Sequence, residues 1–337
     1  MANFRNDYSD VAHPKILEAL SRANDGLYQG YGFDEVSEKL RQDLGKRTGG
    51  EVFFLPGGTI TNALPLTISL RPYEAIVAAD TGHIVGHEAG AIEGLGHEII
   101  SVPSVDGKIS PFAIEEALKH YNSFFEVVPR IVYVSNATET GSLYTKEELA
   151  LLYRYTREKG LLLYIDGARM AQALVAGDVK IEDLSSLCDA VSLGGTKDGA
   201  LFGEVLLVFS EDISRGMTSY MKQRGVLMAK GFLLGLQFET LFADDFALYR
   251  ENAKHALTMA QHLVNGWCAL GGELASPWET NQIFIAVGEE EAQTIKEAHI
   301  VEDSGRLGDK IVLRLVTSYR TTYADVEDFL ETAKTLF

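Results

Sequence analysis

Asp189–Phe209 reads DAVSLGGTKDGALFGEVLLVF, and the fold follows from where its apolar runs stop. Ala190–Leu193 and Val205–Phe209 are short, rich in Val and Leu, and lack an alternating polar face. That is the pattern of strands buried on both sides. Between them lies a polar, glycine-rich turn, Gly194-Gly195-Thr196-Lys197-Asp198-Gly199. In isolation Lys197 reads as a solvated hairpin lysine. Partly desolvated, the same amine has a lowered pKa and becomes a nucleophile toward carbonyl carbon.

Working outward, Leu161–Ile165 is another buried-strand run, ending in Asp166-Gly167-Ala168-Arg169. Val52–Leu55, Ala75–Ala79, Glu98–Val102 and Ile131–Val134 precede it, separated by helical stretches such as Asp34–Thr48, Pro111–Tyr121 and Lys146–Lys159. Strands alternating with helices over Val52–Phe209 predict an α/β fold with a mainly parallel sheet covered on both faces. From about Phe246 the pattern changes. A helix to Leu270, strands at Ile283–Val287 and Ile311–Val316, and a helix near Tyr323–Leu336 predict a small α+β lobe. The expected organisation is an N-terminal arm at 1–14, a large α/β domain at 15–245 and a small C-terminal domain at 246–337.

The chain has 337 residues and is 46% hydrophobic, enough for a substantial core. No apolar run reaches the length of a bilayer span, and the N-terminal stretch does not read as a secretory signal. The net charge of −18 disfavours nucleic acid and anionic membrane as partners. Cys188 and Cys268 form neither a disulfide framework nor a metal pattern; both read as small core residues in a reducing cytoplasm.

Chemistry concentrates at the strand ends, as expected for a parallel sheet. An aspartate such as Asp166 can pair with the protonated pyridine nitrogen of pyridoxal phosphate. Ala168 is small enough to lie under a ring, and the planar fork of Arg169 suits a carboxylate. Separately, Asp166 and Arg169 read equally as an ion pair at a helix start. Followed two strands later by the Lys197 turn, they are far more specific. Pro56-Gly57-Gly58 precedes a helix opened by Thr59-Ile60-Thr61-Asn62, where free N–H groups and the helix dipole form an anion site. It is neither a nucleotide-binding P-loop nor a dinucleotide fingerprint. His83 and His87 are spaced to share a helix face, with no third metal ligand evident. Thr218–Leu241 reads as one long helix with a basic start, and Arg314 sits inside an apolar strand, where it needs a carboxylate or a cleft.

With these residues in place, the chain resembles the threonine aldolases and related β-eliminating lyases, fold-type I pyridoxal-phosphate enzymes, from about Asn3 to the last helix. The resemblance implies that Lys197 is the Schiff-base lysine and Asp166 the pyridine partner. It implies that His83 stacks on the ring, with Ala168 and Thr196 lining the cofactor and Gly58 and Thr59 holding its phosphate. Arg224 and Lys230 would reach a phosphate, frequently across a subunit interface, and Tyr31 would approach a neighbouring site. Arg169, Arg314 and Asn6, in place of the usual serine, would meet the substrate carboxylate. The implied activity is cleavage of L-threonine, L-allo-threonine or a related β-hydroxy-α-amino acid to glycine and an aldehyde. The implied assembly is a homo-oligomer, a dimer of active units that forms a tetramer. The loop at 135–141 departs from the family: it has Thr138 and Glu139 but no histidine. A base for the hydroxyl is then His83 or a water near Thr138 and Glu139, and a β-eliminating lyase or an aminotransferase is the alternative.

Overall fold

The computed structural model describes all 337 residues. Its larger sheet contains β1 (Glu51–Leu55), β2 (Glu74–Ala79), β3 (Ile99–Val102), β4 (Val128–Ser135), β5 (Leu162–Asp166), β6 (Ala190–Gly194) and β7 (Glu204–Val208), in the order β1-β7-β6-β5-β4-β2-β3. β7 runs antiparallel to β1 and β6, and the remaining neighbours are parallel. The carboxyl ends of β1, β2, β4, β5 and β6 therefore share one edge with the amino end of β7. Every residue of β5, β6 and β7 is buried. Alternate side chains enter opposite cores: Leu163, Ile165, Val191 and Leu193 on one face, Leu162, Tyr164 and Ala190 on the other. This is the period of two expected for a sheet covered on both faces.

Two glycines let the strand ends approach. A Cβ on Gly167 would lie 2.0 Å from the Ser192 carbonyl oxygen, and one on Gly194 2.2 Å from that of Ala168. The backbones instead touch, with the Gly194 N–H donating to the Gly167 carbonyl at 2.9 Å. This contact sets the Asp166 turn against the lysine turn.

The smaller sheet is antiparallel: β8 (Glu273–Leu274), β9 (Gln282–Val287), β10 (Glu302–Leu307) and β11 (Lys310–Val316), in the order β10-β11-β9-β8. One face packs Ile283, Ile285, Leu313 and Leu315 with Trp267 and Phe329. Phe4 from the N-terminal arm enters the same core. Its backbone bonds to Ile300 and Val316, both at 2.8 Å, so the arm is tied down at Phe4.

Thr218–Leu241 is not one helix. The chain forms Met217–Gln223, a loop, and then Phe232–Ala269. The first helix stops because Gly225 takes a left-handed φ of 76° directly after the capping residue Arg224. The second is itself interrupted by non-helical backbone at Ala243–Phe246. Cys188 is buried as expected, whereas Cys268 is exposed, near the end of the long helix on a face that packs against neither core.

Candidate active site

The turn after β6 places Lys197 among Asp7, Asp166, Arg169 and Glu204. Burial lowers its pKa most, and the Arg169 charge adds to this; together they outweigh the attraction of the three carboxylates. The Thr196 hydroxyl accepts the Gly203 N–H at 3.0 Å and closes the turn onto β7. The Gly195 N–H donates to Glu204 Oε2 at 2.7 Å. Burial raises the Glu204 carboxyl, partly countered by this bond and by Lys197.

At the end of β5, Asp166 is fully engaged. Its Oδ2 accepts from the Tyr133 hydroxyl at 2.6 Å and the Asn62 amide at 2.8 Å, and its Oδ1 accepts the Ala168 N–H at 2.8 Å. Burial alone would raise this carboxyl. Hydrogen bonds from Tyr133 and Asn62, with His83 and Lys197 nearby, instead hold it below the usual carboxylate range. A buried, ionised carboxylate is what a pyridinium N–H requires as a partner. Asn62 also donates to Glu88 Oε1 at 2.9 Å, and that oxygen lies 3.0 Å from His83 Nδ1. Glu88 thus fixes the imidazole orientation. His83 begins a single helical turn, His83–Gly86, and its ring lies 5.6 Å from that of His87.

The carboxylate side is assembled over longer distances. Arg169 is buried, and its Nε and Nη2 donate to Asp7 Oδ2 and Oδ1 at 2.7 and 3.1 Å. Asn281 donates to Asp7 Oδ2 at 2.9 Å. Burial would raise the Asp7 carboxyl, but the charges of Arg169 and Lys197 and these bonds lower it overall. Asp7 occupies the Nε edge of the guanidinium and leaves the Nη1 edge outside this pair. Asn6 turns back on its own loop, accepting from the Tyr8 N–H at 3.1 Å and the Ser9 hydroxyl at 2.8 Å. Arg314 does not join the Lys197 cluster by any hydrogen bond or ion pair. It lies on β11 between Phe284 and Glu302 and donates to Glu302 at 2.5 Å. Its buried Nε has no partner.

Gly58 opens the Gly58–Ile68 helix one residue before the expected Thr59 start, and no side chain caps that end. A Cβ on Gly57 or Gly58 would meet nothing within 4 Å, so there is open space beside this helix end. Tyr31, Arg224 and Lys230 are exposed. The Tyr31 N–H bonds to the Ala229 carbonyl at 3.0 Å, and Lys222 Nζ lies 4.3 Å from the Tyr31 ring centroid. Arg224 and Lys230 flank the loop between two helices rather than the face of one.

Several site groups carry little signal in the sequence. Asp7 adjoins Asn6, but its partners lie more than 150 positions away. Glu204 opens β7, and an acid at the head of an apolar run was the available signal. Tyr133 and Asn62 looked like strand and helix residues, because only the fold aims them at Asp166.

These residues fit pyridoxal phosphate. Lys197 is a desolvated amine, Asp166 an ionised buried carboxylate, and Gly57–Thr59 an uncapped helix end with room for a phosphate. The fold and the site define a fold-type I pyridoxal-phosphate enzyme. The chain belongs to the beta-eliminating lyase family, whose model matches residues 3–290, and it is a pyridoxal-phosphate-dependent lyase. It is 30% identical over 298 residues to a low specificity L-threonine aldolase from a Pseudomonas species, covering 86% of this chain and 85% of that protein. It superimposes on a threonine aldolase from Leishmania major with a TM-score of 0.96 and 38% identity, covering 100% and 99% of the two chains. An aspartate aminotransferase from Thermus thermophilus shares the fold, with a TM-score of 0.74 at 14% identity, covering 100% of this chain and 92% of that one. No helix is long and apolar enough to cross a membrane.

Proposed function

We propose that this enzyme cleaves Cα–Cβ of L-threonine, L-allo-threonine or a related β-hydroxy-α-amino acid, giving glycine and an aldehyde. The observation that carries the reading is the meeting of Lys197, Asp166 and Arg169 at one sheet edge, together with the aldolases among the similar proteins. Pyridoxal phosphate, when bound, supplies a sink for the electron pair released as Cα–Cβ breaks. Lys197 would hold the cofactor through its amine, and Asp166 would hold the pyridine nitrogen. His83 would cover the ring beside Ala168 and Thr196, and Gly58 and Thr59 would bind the phosphate. Arg169, oriented by Asp7, presents its remaining edge to the substrate carboxylate. Arg314 joins it if Glu302 yields, and Asn6 contributes its amide N–H. Fixing the carboxylate lets the scissile bond stand perpendicular to the ring.

The test is product identification on a substrate panel. Acetaldehyde and glycine from threonine are expected. Keto acid and ammonia from serine or cysteine, without aldehyde from threonine, would overturn the aldolase reading in favour of β-elimination.

The assembly we assign is a homo-oligomer of dimeric active units, forming a tetramer in the cytoplasm. Its support is the exposed surface that gathers Tyr31, Lys222, Arg224 and Lys230 in a chain of net charge −18. These groups would serve the phosphate site of a neighbouring subunit. Mixing Lys197→Ala chains with Tyr31→Ala/Arg224→Ala chains should partly restore activity, because a hybrid dimer contains one intact site. No recovery in demonstrably mixed oligomers would rule out sharing through these residues.

A further inference from the structure

The loop after β4 holds a carboxyl for which the assignments above leave no task. Glu139 Oε1 accepts from the Ser135 hydroxyl at 2.5 Å and the His83 N–H at 2.8 Å. Its Oε2 accepts no hydrogen bond from another residue and keeps some contact with solvent. One oxygen therefore anchors the group and the other is free. Ser135 stands beside Asp166 in the sheet register. Its hydroxyl also reaches the Tyr133 hydroxyl at 3.3 Å, and Tyr133 donates to Asp166 at 2.6 Å. The charged and titratable groups facing Glu139 are Asp166, Tyr133, Tyr144 and Arg169, with the backbone of His83. Glu139 thus adjoins the groups assigned to the ring and is close enough to the guanidinium assigned to the substrate carboxylate to feel its charge. A substrate held by both would bring its β-carbon into this neighbourhood.

Other carboxyls near the cleft are committed. Asp166 and Asp7 have both oxygens in hydrogen bonds. Glu88 has a fully covered side chain. Glu204 lies at the β7 end, bonded into the lysine turn.

We propose that Glu139 is a catalytic residue of the cleavage, its Oε2 taking the proton of the substrate β-hydroxyl. The assignment rests on the aldolase reading above. The O–H electron pair becomes the second C–O bond of the aldehyde, and the proton goes to Oε2. The Cα–Cβ pair stays with the glycine fragment, and a proton returned to Cα completes glycine, so no external oxidant or reductant is needed. Burial raises the Glu139 carboxyl, opposed by the Ser135 bond. Ionised in the working range, it is a stronger base than an ordinary glutamate.

The experiment compares wild-type, Glu139→Gln and Glu139→Asp holoenzymes in two reactions. The first is aldehyde release from L-threonine; the second is exchange of the glycine α-proton in deuterated water, followed by NMR. Glycine has no hydroxyl, so its exchange bypasses the proposed step. The glutamine keeps an acceptor for Ser135 and His83. Expected for E139Q is a fall of about 10²–10⁴-fold in cleavage, with exchange within a fewfold of wild type. E139D should restore part of the cleavage. The acid limb of wild-type kcat/KM should lie above the ordinary glutamate range and vanish in E139Q. Equal loss of both reactions would make Glu139 a structural prop of Asp166 and overturn the proposal. Unchanged cleavage would overturn it too, and with a large loss in His83→Asn would move the role to His83. Wild-type enzyme that releases no aldehyde from any β-hydroxy amino acid would sink the aldolase reading itself.

Discussion

The cofactor half of the cleft and the carboxylate half are held by different kinds of contact. Around Lys197 and Asp166 the contacts come from the large sheet and the segments directly at its functional edge: Tyr133 on β4, Ala168 in the turn after β5 and Asn62 on the Gly58–Ile68 helix. Around Arg169 and Arg314 the partners come from elsewhere: Asp7 on the arm, Asn281 ahead of β9, Glu302 on β10. Both arginines already meet a carboxylate of the chain. The first half is a preorganised electrostatic frame. The second is an ion-pair assembly, and on the proposed reading a substrate carboxylate would have to enter it.

The largest effect belongs to the first half. Lys197→Ala should lower kcat by at least about 10³-fold, measured as aldehyde release. Borohydride treatment of the wild type should fix the cofactor to a peptide containing Lys197. Labelling at Lys222 or Lys230 would break the comparison at its root, because the half-buried amine of Lys197 would then not be the reactive one.

Next comes a test of whether the carboxylate half also supports the fold. Asp7→Asn leaves a buried guanidinium without its countercharge, and losing one partner of a buried pair costs about 3–5 kcal/mol. The midpoint of urea unfolding should fall accordingly. The pH dependence has a defined sign. Asp7 is held below the usual carboxylate range, so its contribution is complete above the unfolded pKa, roughly 4. It is lost as pH falls through the lower folded value, and the variant should show a weaker loss in that window. An unchanged midpoint at neutral pH would mean that Arg169 is supported by the rest of the site.

The same division decides what the sequence made legible. The strand runs, the lysine turn and Asp166-Gly167-Ala168-Arg169 are local patterns, and the large sheet and its functional edge were readable from them. β10 was not, because every residue of Glu302–Leu307 is exposed and carries no apolar periodicity. With β10 unread, the partner of Arg314 was unread as well. Asp7 carries no local signal, because its role depends on an arm fastened by Phe4 in the distant small lobe. The Arg224 helix is shorter than its run of helix formers predicts, because the left-handed Gly225 ends it.

Arg314 sharpens the comparison at the next level. Arg314→Lys replaces a planar fork by a point charge. If Arg314 leaves Glu302 for the substrate, kcat/KM should fall by about ten- to a hundredfold, the loss of a charge-assisted hydrogen bond worth about 1.5–3 kcal/mol. If the pair with Glu302 is its whole role, Glu302→Gln and Arg314→Lys should change stability together and leave kcat/KM unaltered.

The smallest effect separates ligand binding from folding within the cofactor half. Thr59 is exposed at the open end of the Gly58–Ile68 helix, and no side chain caps that end. Removing its hydroxyl deprives the fold of nothing it uses, so Thr59→Ala should unfold at the wild-type urea concentration when no cofactor is bound. An anionic phosphate at the helix end would lose one exposed hydroxyl donor that water can largely replace, about 0.5–1.5 kcal/mol. That corresponds to roughly a two- to twelvefold rise in the cofactor Kd, measurable by titrating the apoenzyme and following absorbance. The backbone N–H groups and the helix dipole remain, which is why the loss stays small. A Kd unchanged in Thr59→Ala would leave the phosphate to the backbone alone. A rise of a hundredfold or more would show that Thr59 organises the whole loop, and the cofactor half would then depend on its side chains as heavily as the carboxylate half does.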